Sequence, residues 1–441
     1  MPPRRSGRLR VQPSKPANNV LDAPYKDSQR ITITDLPIEI VRLVIAYLQS
    51  DRKTPTLKSC SRLSRSWRDL VFSYLFTAIK PFSVLRLSEF TAFLKSTPHV
   101  VPVVKQVVIV RAERVGPAVF KEDIVTFDRE SPFVYLVETL RALERLVCQG
   151  LVFSPPTVSN AVVDAIPSSS PLRRLVWTGC DARMPDSSAR LAPIFSALTL
   201  FKADTLDLVM PYSGMVPPEE DITSIRPLAY KTLILRGSRD NSSALSSFRQ
   251  ILAPDCLRSL SVSVGEPQHV VKLGELLHKV GSNLEYLRIN FHNMHTPERW
   301  AGSVLEALKL ESCLRLSSLN ITMLWGDNGG RDASHLSGSA LAKILKQAPP
   351  DLQEIRIPIF PPFDRFGPPE VLDTHELYAV QSIFKQRTLS ALRAFIFELT
   401  DWGRVEEYGL CLKEMFPDLH ERGILKLESM NYGSLDEALD V

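Results

Sequence analysis

Apolar residues recur after residue 100 in one repeated phrase, apolar-x-x-apolar-x-apolar, and helix-like runs separate its copies. The alternation within the phrase and its β-branched residues predict a short strand that places its apolar side chains on one face. Successive phrases start 39, 29, 31, 27, 27, 27, 32, 36 and 40 residues apart. They begin at Val104, Leu143, Leu172, Ala203, Tyr230, Leu257, Leu284, Leu316, Leu352 and Leu392, and a weaker copy begins at Ile424.

The regular alternation of strand and helix predicts an α/β fold in which parallel strands lie side by side and helices cover one face. Three consecutive steps of 27 residues fall within the range of leucine-rich repeats, and the longer steps indicate insertions. The body of the chain therefore resembles a degenerate leucine-rich-repeat array. That resemblance implies a curved solenoid of about ten repeats with parallel strands. An ordinary open α/β sheet is the alternative.

One position departs from the leucine-rich-repeat pattern. The ninth residue of the repeat is usually Asn or Cys in that family, and here only Cys180 conforms. The resemblance therefore implies an irregular coil, because the ladder of side chains that bond the turn backbones is missing.

The segment before the array predicts three short amphipathic helices. Ile40, Leu43, Val44, Tyr47 and Leu48 follow helical spacing and form one apolar stripe. A second helix can open at Thr54-Pro55, and Ser64 can cap a third. Three such helices form only a marginal core, so the unit is expected to gain stability by packing on a partner or on the next domain.

Residues 36–67 also carry a recognisable motif. They contain Leu36-Pro37-Ile38-Glu39-Ile40 and, further on, Leu57-x-x-Cys60-Ser61-x-Leu63-x-Arg65-Ser66-Trp67. This spacing resembles the F-box of fungal F-box proteins. The resemblance implies a substrate-recruiting subunit of a cullin–Skp–F-box ubiquitin ligase, in which the helical domain docks a Skp-type adaptor. The implied adaptor-facing residues are Leu36, Pro37, Ile40, Leu43, Leu57, Leu63 and Trp67. The alternative is a helical cap on a repeat scaffold that has no link to a ligase.

The array itself offers a second candidate surface. In each phrase the third, fifth and seventh residues lie between the buried ones and face the opposite side of the sheet. Tyr and Arg are enriched among binding hot spots, so this face is a candidate for holding a target protein. The residues singled out are Arg236, Tyr286, Arg288, Asn290 and Arg356. A solvated face without a ligand is the alternative.

These patterns divide the chain into five parts. Residues 1–30 form a basic, proline-rich tail that is expected to be disordered. Residues 31–80 form the F-box-like helical domain, residues 81–103 a linker, residues 104–430 the repeat array, and residues 431–441 a C-terminal tail.

Charge and motifs narrow the function further. The net charge of the chain is +4. The first thirty residues, with seven basic and two acidic residues, sum to +5, so the remaining residues sum to −1, which does not favour nucleic-acid binding by the body of the chain. The six cysteines show no CxxC spacing, and the polar N-terminus is not typical of a secretory signal. We expect a cytoplasmic or nuclear protein that does not enter a membrane.

Catalytic signatures are absent from the sequence, which has no P-loop, GxGxxG, GxSxG or HExxH motif. We therefore expect no enzyme activity, no metal and no cofactor. A hydrolase or transferase whose residues are scattered along the chain is the remaining alternative.

Overall fold

The computed structural model describes two compact units, which divide between Tyr74 and Leu75. We call residues 36–74 the head and residues 75–430 the array. The expected tails, residues 1–30 and 431–441, lie outside the described residues. Those residues are 36–50, 54–111, 124–126, 131–153, 172–182, 191–209, 225–237, 241–291, 303–324, 335–360, 374–386, 389–400 and 405–430.

Three helices make up the head, as the periodicity predicts. They are α1 (Ile38–Ser50), α2 (Thr54–Cys60) and α3 (Arg65–Phe76). The carbonyl of Pro37 accepts hydrogen bonds from the first amides of α1, and the Ser64 hydroxyl accepts from the backbone N–H of Trp67 at 3.2 Å. Ser64 therefore caps α3, because its side chain satisfies an amide that the helix cannot.

Within the described residues, the array is built on one sheet of twelve strands, and every neighbouring pair is parallel. Its strands lie in chain order: β1 (Ala78–Ser83), β2 (Gln106–Val110), β4 (Arg145–Gln149), β6 (Leu172–Thr178), β8 (Ala203–Val209), β9 (Thr232–Arg236), β10 (Ser259–Ser263), β11 (Tyr286–Asn290), β12 (Ser318–Leu324), β13 (Glu354–Phe360), β14 (Ala394–Thr400) and β15 (Leu425–Met430). The prediction of an α/β fold with a large parallel sheet is confirmed.

A second, small parallel sheet lies beside the first strands. It consists of β3 (Ile124–Val125), β5 (Val152–Phe153) and β7 (Asp181–Ala182). Phe153 of this sheet stacks on Trp177 of β6 with ring centroids 4.4 Å apart. These strands have only two residues each, too few to show a clear alternation in sequence, which is why no pattern predicted this sheet.

Helices separate most of the strands of the array. They are α4 (Leu87–Ser96), α5 (Pro132–Thr139), α6 (Leu191–Leu198), α7 (Asn241–Ile251), α8 (Pro267–Val280), α9 (Ser303–Glu306), α10 (His335–Lys346), α11 (Thr374–Gln386), α12 (Val405–Met415) and α13 (Pro417–Glu421). Short 3-10 helices occupy Val84–Arg86, Pro98–Val103, Gly281–Asn283 and Leu310–Ser312.

The strands pair in the register of the repeated phrase. Leu260 of β10 lies beside Leu287 of β11, which lies beside Leu319 of β12. The same row continues through Ile355 and Phe395, and all five side chains are buried. The fourth and sixth positions of the phrase therefore form the core. Phe384 of α11 and Phe416, which lies between α12 and α13, pack their rings on Phe395.

Residues 81–103 were expected to form a linker, and that expectation is corrected here. This segment contains the end of β1, the 3-10 helix Val84–Arg86, α4 and the 3-10 helix Pro98–Val103, and β1 pairs with β2. Pro81 interrupts the strand signal, since proline cannot donate to a sheet ladder. Proline is tolerated here because β1 is an edge strand whose register shifts between Ile79 and Phe82.

Candidate docking surfaces

One face of α1 is apolar and exposed. Ile40, Leu43, Val44 and Tyr47 follow at i, i+3, i+4 and i+7, and they are 44%, 66%, 42% and 64% exposed. We call these four residues the α1 face. Among the described residues, ten large apolar side chains are exposed, and six of them lie between Ile38 and Leu63 of the head. Contiguous exposed apolar surface of this kind marks an interaction site in a folded protein.

The opposite side of the same helix builds the core of the head. Val41 and Ile45 point inward, and α1 packs on α2. Leu57 on α2 and Trp67 on α3 are also buried, at 3% and 4% exposed. The helix is thus apolar on two sides, one buried in the core of the head and the other exposed.

The residues predicted to face an adaptor fall into two groups. Pro37, Ile40, Leu43 and Leu63 are exposed and Leu36 is half-buried, so these side chains can be reached by a partner. Leu57 and Trp67 are not accessible in this structure. Their assignment to an adaptor surface is therefore corrected to a place in the core, because the apolar pattern of a short helix does not say which of its two apolar sides is outward.

Basic residues outnumber acidic residues on the described surface of the head. Arg42, Lys58, Arg62, Arg65 and Arg68 are exposed, and Glu39 and Asp69 are the acidic residues among the described residues of the head. Five positive and two negative charges give a net charge of +3. A partner that docks on the head would meet a surface of net positive charge, which favours an acidic surface on that partner.

The large sheet carries the second surface on its polar face, which we define as the face that presents the third, fifth and seventh positions of each phrase. The five residues predicted to bind a target all lie on this face, on β9, β11 and β13. Their surroundings differ from one strand to the next.

Arg356 is held by three carboxylates. Its Nε lies 2.7 Å from Oε1 of Glu354, and its Nη1 lies 2.8 Å from Oε1 of Glu398 and 2.9 Å from Oε2 of Glu428. Burial by itself would lower the pKa of Arg356, but the hydrogen bonds to Glu354 and Glu398 outweigh burial and raise that pKa. The guanidinium is thus occupied by neighbours from its own strand, β14 and β15.

Two more of the predicted target residues are wholly or partly buried. Asn290 is buried, and Tyr286 is half-buried with its hydroxyl near the side chain of Asn320. Burial raises the pKa of Tyr286, while the charge of Arg288 opposes that shift. The structure therefore places Tyr286, Arg288 and Arg356 on one stretch of the face, but Asn290 presents little surface to a ligand.

Arg236 belongs to a different cluster. Its Nε lies 3.0 Å from Oδ1 of Asp207, and Arg174 bonds the other oxygen of the same carboxylate. Arg145 lies beside Arg174 in the register of β4 and β6. We call Arg145, Arg174, Asp207 and Arg236 the arginine cluster. Only Arg236 of the four was predicted from the sequence. Arg145 and Arg174 are the third residues of their phrases and Asp207 is a fifth residue, so all three belong to the same polar face as Arg236.

Other kinds of site find no support within the part of the chain that the structure describes. No three His, Cys, Asp or Glu side chains converge there in a way that could hold a metal ion. All six cysteines are free thiols. No described helix combines the length and apolar character needed to cross a membrane.

Comparison with known proteins adds no assignment: neither a family model nor a curated protein matches this chain.

Proposed function

We propose that this chain is the substrate-recruiting adaptor subunit of a cullin–Skp–F-box (SCF-type) ubiquitin ligase. The head is an F-box-like domain that docks a Skp-type adaptor. The array is a leucine-rich-repeat-like solenoid that holds a target protein. The observation that carries this proposal is the exposed α1 face, which lies within the segment that has the F-box-like motif.

The α1 face supports docking because its four side chains are large, adjacent and directed away from the core of the head. A helix that places i, i+3, i+4 and i+7 side chains on a partner is a recurrent mode of recognition. Leu43 and Tyr47 are the most exposed of the four, so they are the anchors of the proposed contact. Arg42 on the same helix would meet an acidic rim on the adaptor.

Two features of the array support a leucine-rich-repeat-like solenoid. Its strands are added to the sheet in chain order, and β9 to β11 follow the 27-residue steps. Cys180, which conforms to the ninth position of the repeat, donates its Sγ hydrogen to the carbonyl of Cys148 at 3.2 Å. That bond ties one turn to the preceding strand, which is the role of this position in the repeat.

The proposed mechanism needs no catalytic residue in this chain. The head fixes the chain to the ligase and the array fixes the target, so that a separate enzyme meets the target at a raised effective concentration. Specificity then resides in the polar face of the sheet.

The test is binding of the purified full chain to a purified Skp-type adaptor, measured by biolayer interferometry. Leu43→Asp is expected to weaken binding about a hundredfold, which is the size of a hot-spot loss. The matched control is Leu314→Asp in the array, because Leu314 is 65% exposed and Leu43 is 66% exposed. The control should bind as the wild type does.

Two results would overturn the proposal. The first is a wild-type chain that does not bind the adaptor, which would favour the alternative of a repeat scaffold capped by a helical head. The second is equal binding by both variants and the wild type, which would place the contact away from the α1 face. Circular dichroism of each variant reports whether the fold is intact.

A further inference from the structure

The polar face is not uniform in charge along the array. On β2, β4, β6, β8, β9 and β10 its charged residues are those of the arginine cluster, three positive and one negative, for a net charge of +2. On β11 to β15 the residues Arg288, Arg356 and Lys426 balance Glu354, Glu398 and Glu428. The uncompensated positive charge of this face therefore lies on its first half.

The arginine cluster holds like charges side by side. Arg145 and Arg174 are register partners on adjacent parallel strands, which run about 4.8 Å apart. Like charges in directly opposed positions destabilise a sheet. The pKa of Arg145 is lowered by partial burial and further by the charge of Arg174, while Asp207 opposes that change.

Two of the three arginines donate hydrogen bonds to Oδ2 of Asp207. Its carboxylate is 3% exposed and is bonded by Arg174 and Arg236, which are 30% and 20% exposed. Arg145 is exposed, and it lies on the strand beyond Arg174. The cluster is thus a preorganised pair of guanidiniums with a third one at its open side.

An apolar row runs beside the arginines on the same face. Val108, Val147 and Val176 are register partners across β2, β4 and β6, two residues along from the row that contains Arg145 and Arg174. Val108 and Val147 are half-buried and Val176 is buried. A ligand that covers this part of the sheet would meet guanidinium groups in one row and aliphatic side chains in the next.

We propose that the arginine cluster and the adjoining valine row bind an anionic peptide segment of the target, with its carboxylate or phosphate groups on Arg145 and Arg174 and an aliphatic residue on Val108 and Val147. This inference deepens the proposed function, on which it rests for the identity of the occupant as a target. A nucleic acid fits less well, because this stretch of the face offers aliphatic side chains and no aromatic ring for base stacking.

The test uses the full chain alone and fluorescein-labelled peptides, so it is independent of the Skp-type adaptor. Peptides of alternating Glu and Leu blocks are compared with the same peptides carrying phosphoserine, or Gln, in place of Glu. Fluorescence anisotropy is expected to show binding of the anionic peptides, at least tenfold tighter than binding of the Gln peptide, and weaker binding at high salt.

Arg145→Gln is the decisive variant. It is expected to reduce affinity at least tenfold while the melting temperature stays level or rises, because the variant removes a repulsion. The matched control is Arg393→Gln, which removes the same charge from an exposed arginine that precedes β14. It should bind as the wild type does. Val147→Ser should weaken binding of the Leu-containing peptides.

The outcomes separate the alternatives. Tighter binding of the phosphoserine peptide identifies phosphate as the anionic group, and equal or tighter binding of the Glu peptide identifies carboxylate; either supports the proposal. Four outcomes would overturn the proposal. The Gln peptide binds as tightly as the anionic peptides, or none of the peptides binds. Alternatively, Arg145→Gln and Arg393→Gln lose equal affinity, or a labelled single-stranded oligonucleotide outcompetes both anionic peptides. None of these outcomes alters the adaptor-binding result.

Discussion

Gly274 of α8 lies directly against the backbone of Ala307: a Cβ added at Gly274 would be 1.7 Å from the carbonyl oxygen of Ala307. Real Cβ atoms do not approach an oxygen this closely, so the two segments could not keep their present separation. The contact joins the helix before β11 to the turn before β12, and therefore couples two neighbouring repeats of the array.

Gly274→Ala is accordingly expected to destabilise the array by about 3 kcal/mol or more, because the clash involves backbone that cannot rotate away. Chemical denaturation of the full chain measures the loss. Gln268→Ala on the same helix is the control, since Gln268 is exposed and its replacement should change stability by no more than about 0.5 kcal/mol. Equal stability of the two variants would show that the repeats can separate without loss.

His269 is expected to make stability depend on pH. Its buried Nδ1 accepts hydrogen bonds from the amides of Gly265 and Glu266 at 3.2 and 3.3 Å, an arrangement that requires the neutral ring. Burial lowers the pKa of His269, and the Glu266 carboxylate opposes that shift only in part. The unfolded chain therefore binds the proton more readily than the folded chain does.

The direction of the pH effect on stability follows from that difference in proton affinity. The contribution of His269 to stability is complete above the unfolded-state pKa of about 6.5, and it is lost as the pH falls from there to the lower folded-state pKa. Thermal unfolding across this pH range should show the loss in the wild type. It should be absent in His269→Gln and retained in His278→Gln, which changes an exposed histidine of the same helix.

Arg356→Gln is expected to destabilise the array by about 1–2 kcal/mol, because Glu354, Glu398 and Glu428 would then face one another without a cation. The partial exposure of the cluster limits the effect. About 1 M NaCl should remove much of the loss, since salt screens the repulsion. Arg393→Gln, which breaks no described ion pair, should be neutral at both salt concentrations; an equal loss would assign the effect to charge alone.

The six thiols are expected to react in two groups. Cys148, Cys180 and Cys313 are buried, whereas Cys60, Cys256 and Cys411 are half-buried. Burial raises the pKa of Cys148 and brings that of Cys313 to about 12, so little reactive thiolate is present at neutral pH. Burial also raises the pKa of the half-buried Cys411, so it should react more slowly than Cys60 and Cys256. Iodoacetamide labelling followed by mass spectrometry should therefore modify Cys60 and Cys256 first, and rapid native-state modification of Cys148 would contradict its burial.

The strands could be predicted because each copy of the phrase places apolar residues at the same positions. Leu260, Leu287 and Leu319 occupy the same phrase position, and a side chain that must be buried in every repeat places its strand in register with the next. The edge strand β1 escaped prediction because Pro81 is unfavourable inside a sheet and acceptable only where one ladder is missing.

The candidate surfaces were harder to predict than the strands. The sequence shows that α1 carries apolar residues on two sides, but only packing decides that Val41 and Ile45 turn inward and that Leu43 does not. The arginine cluster depends on which strands become neighbours, because Asp207 is bonded by arginines that lie 33 and 29 residues away in the chain. Periodicity alone carries no information about such partners.

The chain order of the large sheet has a consequence for how the protein is made. Within the described residues, each strand of the large sheet pairs with the strand of that sheet that precedes it in the chain, so each added strand leaves an edge for the next repeat. No described strand of the large sheet therefore remains unpaired until a distant part of the chain has been synthesised. The array can therefore assemble repeat by repeat during translation, because each described strand of the large sheet needs only the preceding strand of that sheet as its partner.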